Sequence, residues 1–140
     1  MKILLAVDGS PYTKKMLAYL ATHEELTAGT HQYSLITVQP ALPPRARAAL
    51  GKEAVDAYYA EEAAKVLDPV SEFLARHGIQ AQRITETGPA GELIAKKATE
   101  GDFDLVVMGT HGHGALGKLV MGSVSTQVLA NCSVPVLLVR

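Results

Sequence analysis

The stretch GTHGHGALGKLVMGSVS, Gly109 to Ser125, holds five glycines in 17 residues and no carboxylate. Glycine loses more chain entropy on folding than any other residue, so such a density asks for a close neighbour. Three anion-binding patterns can be laid over it. Gly112, Gly114 and Gly117 spell G-x-G-x-x-G, the dinucleotide fingerprint. That pattern wants a strand running straight into the glycines and an acidic residue about 20 positions on for a ribose. No Asp or Glu occurs from Leu105 to Arg140, which removes this reading. Gly112 to Lys118 spells G-x4-G-K, most of a P-loop, but the next residue is Leu119, which has no oxygen for magnesium.

The third pattern is Gly109, Gly112, and then Gly122-Ser123 after nine residues. Gly109 and Gly112 allow the main chain to pass close beneath a ligand as it leaves a strand. Gly122-Ser123 opens a helix whose unpaired N–H groups and positive pole face the same place. The hydroxyls of Ser123 and Ser125 add donors on either side of Val124, and the first turn carries no acidic residue to occupy the pole. Lys118 is the one certain cation of the loop. A helix tip plus bare main chain is anion chemistry, and a phosphate is the anion it suits.

The flanking residues set where this loop must sit. KILLAV (Lys2–Val7) is an unbroken apolar run, the mark of a strand covered on both faces. Ser10 then Pro11 reads as a capping hydroxyl and a helix start, with that helix running to TAGTH. YSLITV (Tyr33–Val38) is a second strand, and QPALPPRARAALG after it reads as a loop. Lys52 to Arg76 has helical spacing, with Pro69 expected to kink it or to begin a new helix capped by Asp68; His77-Gly78 closes it. Gln80–Thr87 alternates and reads as a more exposed strand near a sheet edge. A short helix in GPAGELIAKKATEG, a fourth strand in FDLVVMG, a helix over Ser123–Asn131 and a fifth strand in VPVLLVR complete the chain. Pro135 fits only the start of the last strand or an edge. Strict alternation predicts an α/β fold: one domain, residues 1–140, with a doubly wound parallel sheet and helices on both faces.

With these elements in place, the chain resembles the ATP-binding subset of the universal stress proteins. The resemblance rests on ILLAVDGS, GPAGELI, DLVVMGTHGHGAL…GSVS and SVPVLLVR, and it spans the whole chain. It implies a Rossmann-like five-stranded sheet in the order 3-2-1-4-5, with an adenine nucleotide at the carboxyl ends of strands 1 and 4. By resemblance Asp8 lies near the ribose or adenine. A carboxylate suits hydroxyl and amine donors there, though it can equally bond the backbone of its own turn. The resemblance also puts Val38 against adenine through main-chain atoms, with Ala6 and Met108 as neighbours at the strand ends, and His111 beside the phosphates. It implies ATP or another adenine nucleotide as ligand, with Mg²⁺ carried on the phosphates. It further implies a homodimer formed through the apolar edge strand Val134–Arg140, an arrangement an exposed edge invites.

The remaining residues restrict the alternatives. His111 and His113 form H-x-H, but no third metal ligand is near them in sequence. Arg45 and Arg47 read as solvated loop charges, and Tyr58-Tyr59 as one ring inside and one outside. A net charge of −1 offers no general case for nucleic acid or for an anionic membrane, and no stretch reaches the ~20 apolar residues of a span. The lone Cys132 reads as a packing residue, and a single cysteine fits a reducing cytosol, so a cytoplasmic protein is the simplest expectation. No placed general base, nucleophile set or arginine finger stands out, which points to a binding and signalling role with slow hydrolysis or none. The alternatives are an ATP-hydrolysing enzyme of related architecture, whose SGGxDS loop is missing from VDGSPYT, and a dimeric interaction module without nucleotide.

Overall fold

The computed structural model of this 140-residue chain describes residues 1–113 and 121–140. Five strands, β1 (Lys2–Ala6), β2 (Gln32–Gln39), β3 (Ala81–Thr87), β4 (Leu105–Gly109) and β5 (Val136–Val139), form one parallel sheet in the order β3-β2-β1-β4-β5. This is the order the resemblance implies. β3 is an edge strand and mostly exposed, as its alternation predicts.

The pleat divides the apolar run of β1 between two cores. Ile3, Leu5 and Val7 join one cluster with Met16, Leu20, Leu67, Val70 and Leu74. These come from α1 (Pro11–Ala21) and α4 (Lys52–Arg76). Leu4 and Ala6 join the other with Ile94, Ala98 and Val128, from α5 (Ala90–Glu100) and α6 (Ser123–Asn131). Connections leaving β1 and β2 therefore lie on one face, and those leaving β3 and β4 on the other. The chain reverses between β1 and β4, and open α/β sheets bind ligands at such a switch point.

Several local expectations change. The first helix stops at Ala21, and a short α2 (Glu24–Thr27) follows. Thr22 Oγ1 donates to the Ala18 carbonyl and His23 Nδ1 to that of Tyr19, so these side chains close the helix end. Ser10 holds the N-cap position of α1, but its buried hydroxyl makes no capping bond. The Thr13 N–H that it would have served donates instead to the Ser10 carbonyl. The arginine segment is not a loop: α3 (Pro44–Leu50) forms there. Pro44 suits a first helical position, the Ala, Arg and Leu that follow are strong helix formers, and Gly51 at φ +84° ends the run.

Pro69 neither ends α4 nor begins another helix, and α4 is continuous over 25 residues. The proline is exposed, while Leu67, Val70 and Leu74 on either side of it are buried in one stripe that holds both halves to the sheet. Asp68 is ion-paired to Arg83 of β3 at 2.7 Å and caps nothing. Tyr58 is exposed and Tyr59 half-buried; the Tyr59 hydroxyl accepts from the Leu42 N–H and ties the segment before α3 to α4. Cys132 is half-buried and packs against the α5–α6 core.

Candidate functional site

The row across the sheet that ends β1 runs Ile84, Ile36, Ala6, Met108, Leu138, all on the α5–α6 face. Two residues further on the same face come Val38 and Asp8. Here the sheet ends, α5 and α6 rise over it, and a cleft of about 500 Å³ opens between them. The walls are apolar: Ala6, Val38 and Met108 from the strands, Ala90 and Ile94 from α5, and Val124 from α6. Asp8, Gly109, His111, Gly112, Gly122 and Ser125 close the remaining sides. Of the residues expected to hold the nucleotide, Ser123 alone lies outside this lining; it is exposed at the first position of α6. Lys118, Gly114 and Gly117 lie outside the described residues.

The end of α6 that faces the cleft is an open pole. Its N-cap is Gly122, no side chain among the described residues caps it, and its first turn has no acidic residue. Thr110 holds it there. The Thr110 carbonyl accepts from the Gly122 N–H and from the Ser125 hydroxyl, both at 2.7 Å, while the Thr110 N–H donates to Val139 of β5. Ser125 is thus a buried tether whose proton is already committed to the main chain. Nothing in its sequence neighbourhood distinguishes it from Ser123, which remains free to turn outward.

The glycines answer to the protein's own atoms. A Cβ on Gly109 would stand 2.6 Å from Cβ of Tyr12, and one on Gly112 would stand 2.5 Å from Asp8 Oδ2. A Cβ on Gly122 would meet the Thr110 carbonyl oxygen and His111 Cα at 3.3 Å. The missing side chains therefore let the β1–α1 and β4–α6 turns pack against each other at the switch point. Main chain lining the cleft is a consequence of that packing.

Asp8 takes both of the parts open to it. Its Oδ1 accepts from the Ser10 N–H and the Thr13 hydroxyl, the turn role. Its Oδ2 lies over Gly112 and, among the described residues, accepts no hydrogen bond. His113 is exposed, and its Nε2 donates to the Asp8 carbonyl at 2.7 Å, so H-x-H splits between two tasks. His111 lines the cleft, shares a hydrogen bond with Thr110 Oγ1 at 2.8 Å, and lies 4.8 Å from the ring of Tyr12. Arg45 and Arg47 are exposed on α3 and do not line the cleft.

Comparison with known proteins decides the family. The universal stress protein family model matches residues 1–140. The chain belongs to the universal stress protein family. A universal stress protein of Thermus aquaticus, named for its place in a QAH/OAS sulfhydrylase 3′ region, is 35% identical over 99% of this chain and 97% of its own length. The Slr1230 protein of Synechocystis is 32% identical over 99% of this chain, which spans 42% of that longer relative. Among solved structures, MJ0577 of Methanocaldococcus jannaschii superposes with a TM-score of 0.82 at 24% identity, covering 99% of this chain and 94% of the other. An Arabidopsis thaliana family member with AMP bound superposes at 0.69, with 16% identity and coverage of 99% and 90%. An Archaeoglobus fulgidus member in complex with dAMP superposes at 0.67, with 19% identity and coverage of 100% and 98%. At these identities the superpositions show the shared fold.

Three lining residues of this universal stress protein are not evident from its sequence. Ala90 and Ile94 stand one turn apart on α5, a spacing visible in GPAGELI, but only the fold shows that this turn overhangs the strand ends. The side chain of Val7 belongs to the core on the opposite face, so what Val7 turns to the cleft is main chain. Among the described residues no helix is long and apolar enough to cross a membrane.

Proposed function

We propose that this universal stress protein binds an adenine nucleotide, ATP in particular, in the cleft between α5 and α6, and that binding rather than turnover is its task. One observation carries the reading: an apolar slot and a helix pole that no described side chain caps open into the same cleft. The slot bounded by Ala6, Val38, Ile94, Met108 and Val124 suits a flat, weakly polar base. The α6 pole and the main chain at Gly109, Gly112 and Ser123 suit a phosphate tail. Asp8 Oδ2 suits a ribose hydroxyl or a base amine, since an ionised carboxylate only accepts. Relatives of the same fold with AMP and with dAMP lend the adenine group support.

The donor set suits Mg²⁺ carried on phosphate oxygens: among the described lining residues Asp8 is the only carboxylate. Mg²⁺ keeps several waters and leans on substrate phosphates in such sites. No arrangement of described residues in the cleft joins a general base to an oriented nucleophile, so ATP turnover is expected far below the ordinary enzyme range of ~1–10³ s⁻¹. Turnover inside that range favours the hydrolase alternative. The test of the ligand is mass spectrometry of whatever is released when the freshly purified protein is denatured. An adenine nucleotide is the expected find, and a non-nucleotide occupant contradicts the proposal.

We place the second copy of a homodimer along β5, where Val136, Leu137 and Leu138 are half-exposed at the sheet edge. Sedimentation at micromolar concentration should give twice the monomer mass; a monomer contradicts this.

A further inference from the structure

Gly91 lies on α5 between Ala90 and Ile94, the two residues of the α5 cleft wall, yet it does not line the cleft. It is buried, and its φ is outside the left-handed region, so its backbone conformation is open to any residue. Only space forbids a side chain. A Cβ there would stand 2.5 Å from Gln127 Cβ, 3.1 Å from Gln127 Oε1 and 3.1 Å from the Val124 carbonyl oxygen, all on α6. Cβ of Gln127 is fixed to the helix backbone and cannot swing away. To restore ordinary contact the two helices must part by about 1 Å, since carbon atoms pack best at roughly 3.5–4.0 Å.

We infer that Gly91 is a positioning residue that sets the width of the nucleotide slot. Ala90 just before it and Ile94 one turn on form the α5 wall; Val124, whose carbonyl oxygen a Cβ at Gly91 would meet, forms the α6 wall and belongs to the first turn of that helix. Parting the helices at this point moves one wall from the other and carries the α6 pole away from Gly112. Base contact and phosphate contact then cease to be satisfied together. The inference rests on the nucleotide reading given above. It adds that the fit depends on a residue that touches no ligand.

The experiment is calorimetric titration of AMP into the wild-type chain, Gly91→Ala, the double variant Gly91→Ala with Gln127→Gly, and Val128→Ala. The double variant moves the small residue to the other helix and clears both Gln127 contacts. Val128 is fully buried beside Ile94 and Ala98 but lines no part of the cleft, so its truncation loosens the same core without moving the walls. Gly91→Ala should weaken AMP about tenfold, the double variant should return to within about threefold of wild type, and Val128→Ala should lower thermal stability while keeping wild-type affinity. Should Gly91→Ala fail to fold, the double variant decides: a folded double variant with wild-type affinity supports the spacing role. The inference is overturned if Gly91→Ala binds as wild type does, if the folded double variant binds no better than about tenfold below wild type, or if Val128→Ala weakens AMP as much as Gly91→Ala. A wild-type chain that takes up no AMP while the variants fold normally sinks the nucleotide reading itself, and the inference with it.

Discussion

The two faces of the sheet are built from the same strands and end differently. On one, α4 spans 25 residues, about 37 Å at 1.5 Å per residue, while β2 has eight, roughly 26 Å of strand. With α1 beside it, that layer covers the strands of this face with a continuous core of Leu, Val and Met. On the other, α5 has 11 residues and α6 nine, and the last strand residues turned to this face are Ala6, Val38 and Met108. The cleft is the place where the thinner layer leaves the sheet incompletely covered. The packed face contributes stability, and the thin face contributes a vacancy with a helix pole at its rim.

The division can be broken most severely on the packed face. Leu67 is about 1% exposed beneath the middle of α4. Leu67→Ala should cost about 2–5 kcal/mol in urea unfolding through lost burial and the cavity left behind. The AMP affinity of the folded protein should stay within about twofold. A large loss of affinity would mean the two faces are coupled.

On the thin face the effects reverse. Ala6→Leu adds bulk to the slot floor. It should remove at least about 1–3 kcal/mol of AMP binding, tenfold or more, with a smaller change in urea midpoint. Unchanged affinity would place the base elsewhere. The glycine packing gives a finer test. Gly112→Ala presses a methyl on Asp8 Oδ2 and should weaken AMP by about 1 kcal/mol. In an Asp8→Ala background the same substitution should cost little, because its neighbour is gone. Equal costs in both backgrounds would show that the carboxylate is not what Gly112 makes room for.

The smallest effect lies in the packed core. Tyr33 is about 5% exposed, burial raises its phenol above the ordinary value of 10.0, and its hydroxyl has no partner among the described residues. The unfolded chain loses this proton first, so stability should be unaffected below pH 10 and fall as pH rises from there toward the folded-state value. Tyr33→Phe should flatten that decline in a urea series across the alkaline range, and should be neutral or slightly stabilising at pH 7. An unchanged alkaline slope in Tyr33→Phe would assign the loss to other groups.

Much of this was legible in the residues. The unbroken apolar run of β1 announced a strand covered on both faces, and the exposed alternation of Gln80–Thr87 announced an edge. The glycine and serine spacing, together with the family resemblance, named ten of the residues that line the cleft. What stayed hidden depends on tertiary context. Arg45 and Arg47 follow three prolines that suggested a loop, yet Pro44 serves as a helix start. Pro69 breaks an isolated helix, but here it faces solvent above a buried stripe. Ser125 looked like a second phosphate ligand and is a tether, because the Thr110 carbonyl comes within 2.7 Å of its hydroxyl. The neighbours of Gly109, Gly112 and Gly122 come from the other turn or the other side of the loop, and no local pattern names them.

The central claim is that one cleft holds the base against the sheet end and the phosphates against α6. Its most direct test is an amide NMR titration of the isotopically labelled protein with ATP and Mg²⁺. The account predicts saturable shifts at Gly109, Gly112, Gly122, Ser123 and Val124 for the phosphates and at Val38 and Ile94 for the base. Amides at the amino ends of the strands, such as Gln32 and Gln82, should stay in place. Shifts confined to those opposite strand ends, or no saturable shift at millimolar ATP, would contradict it.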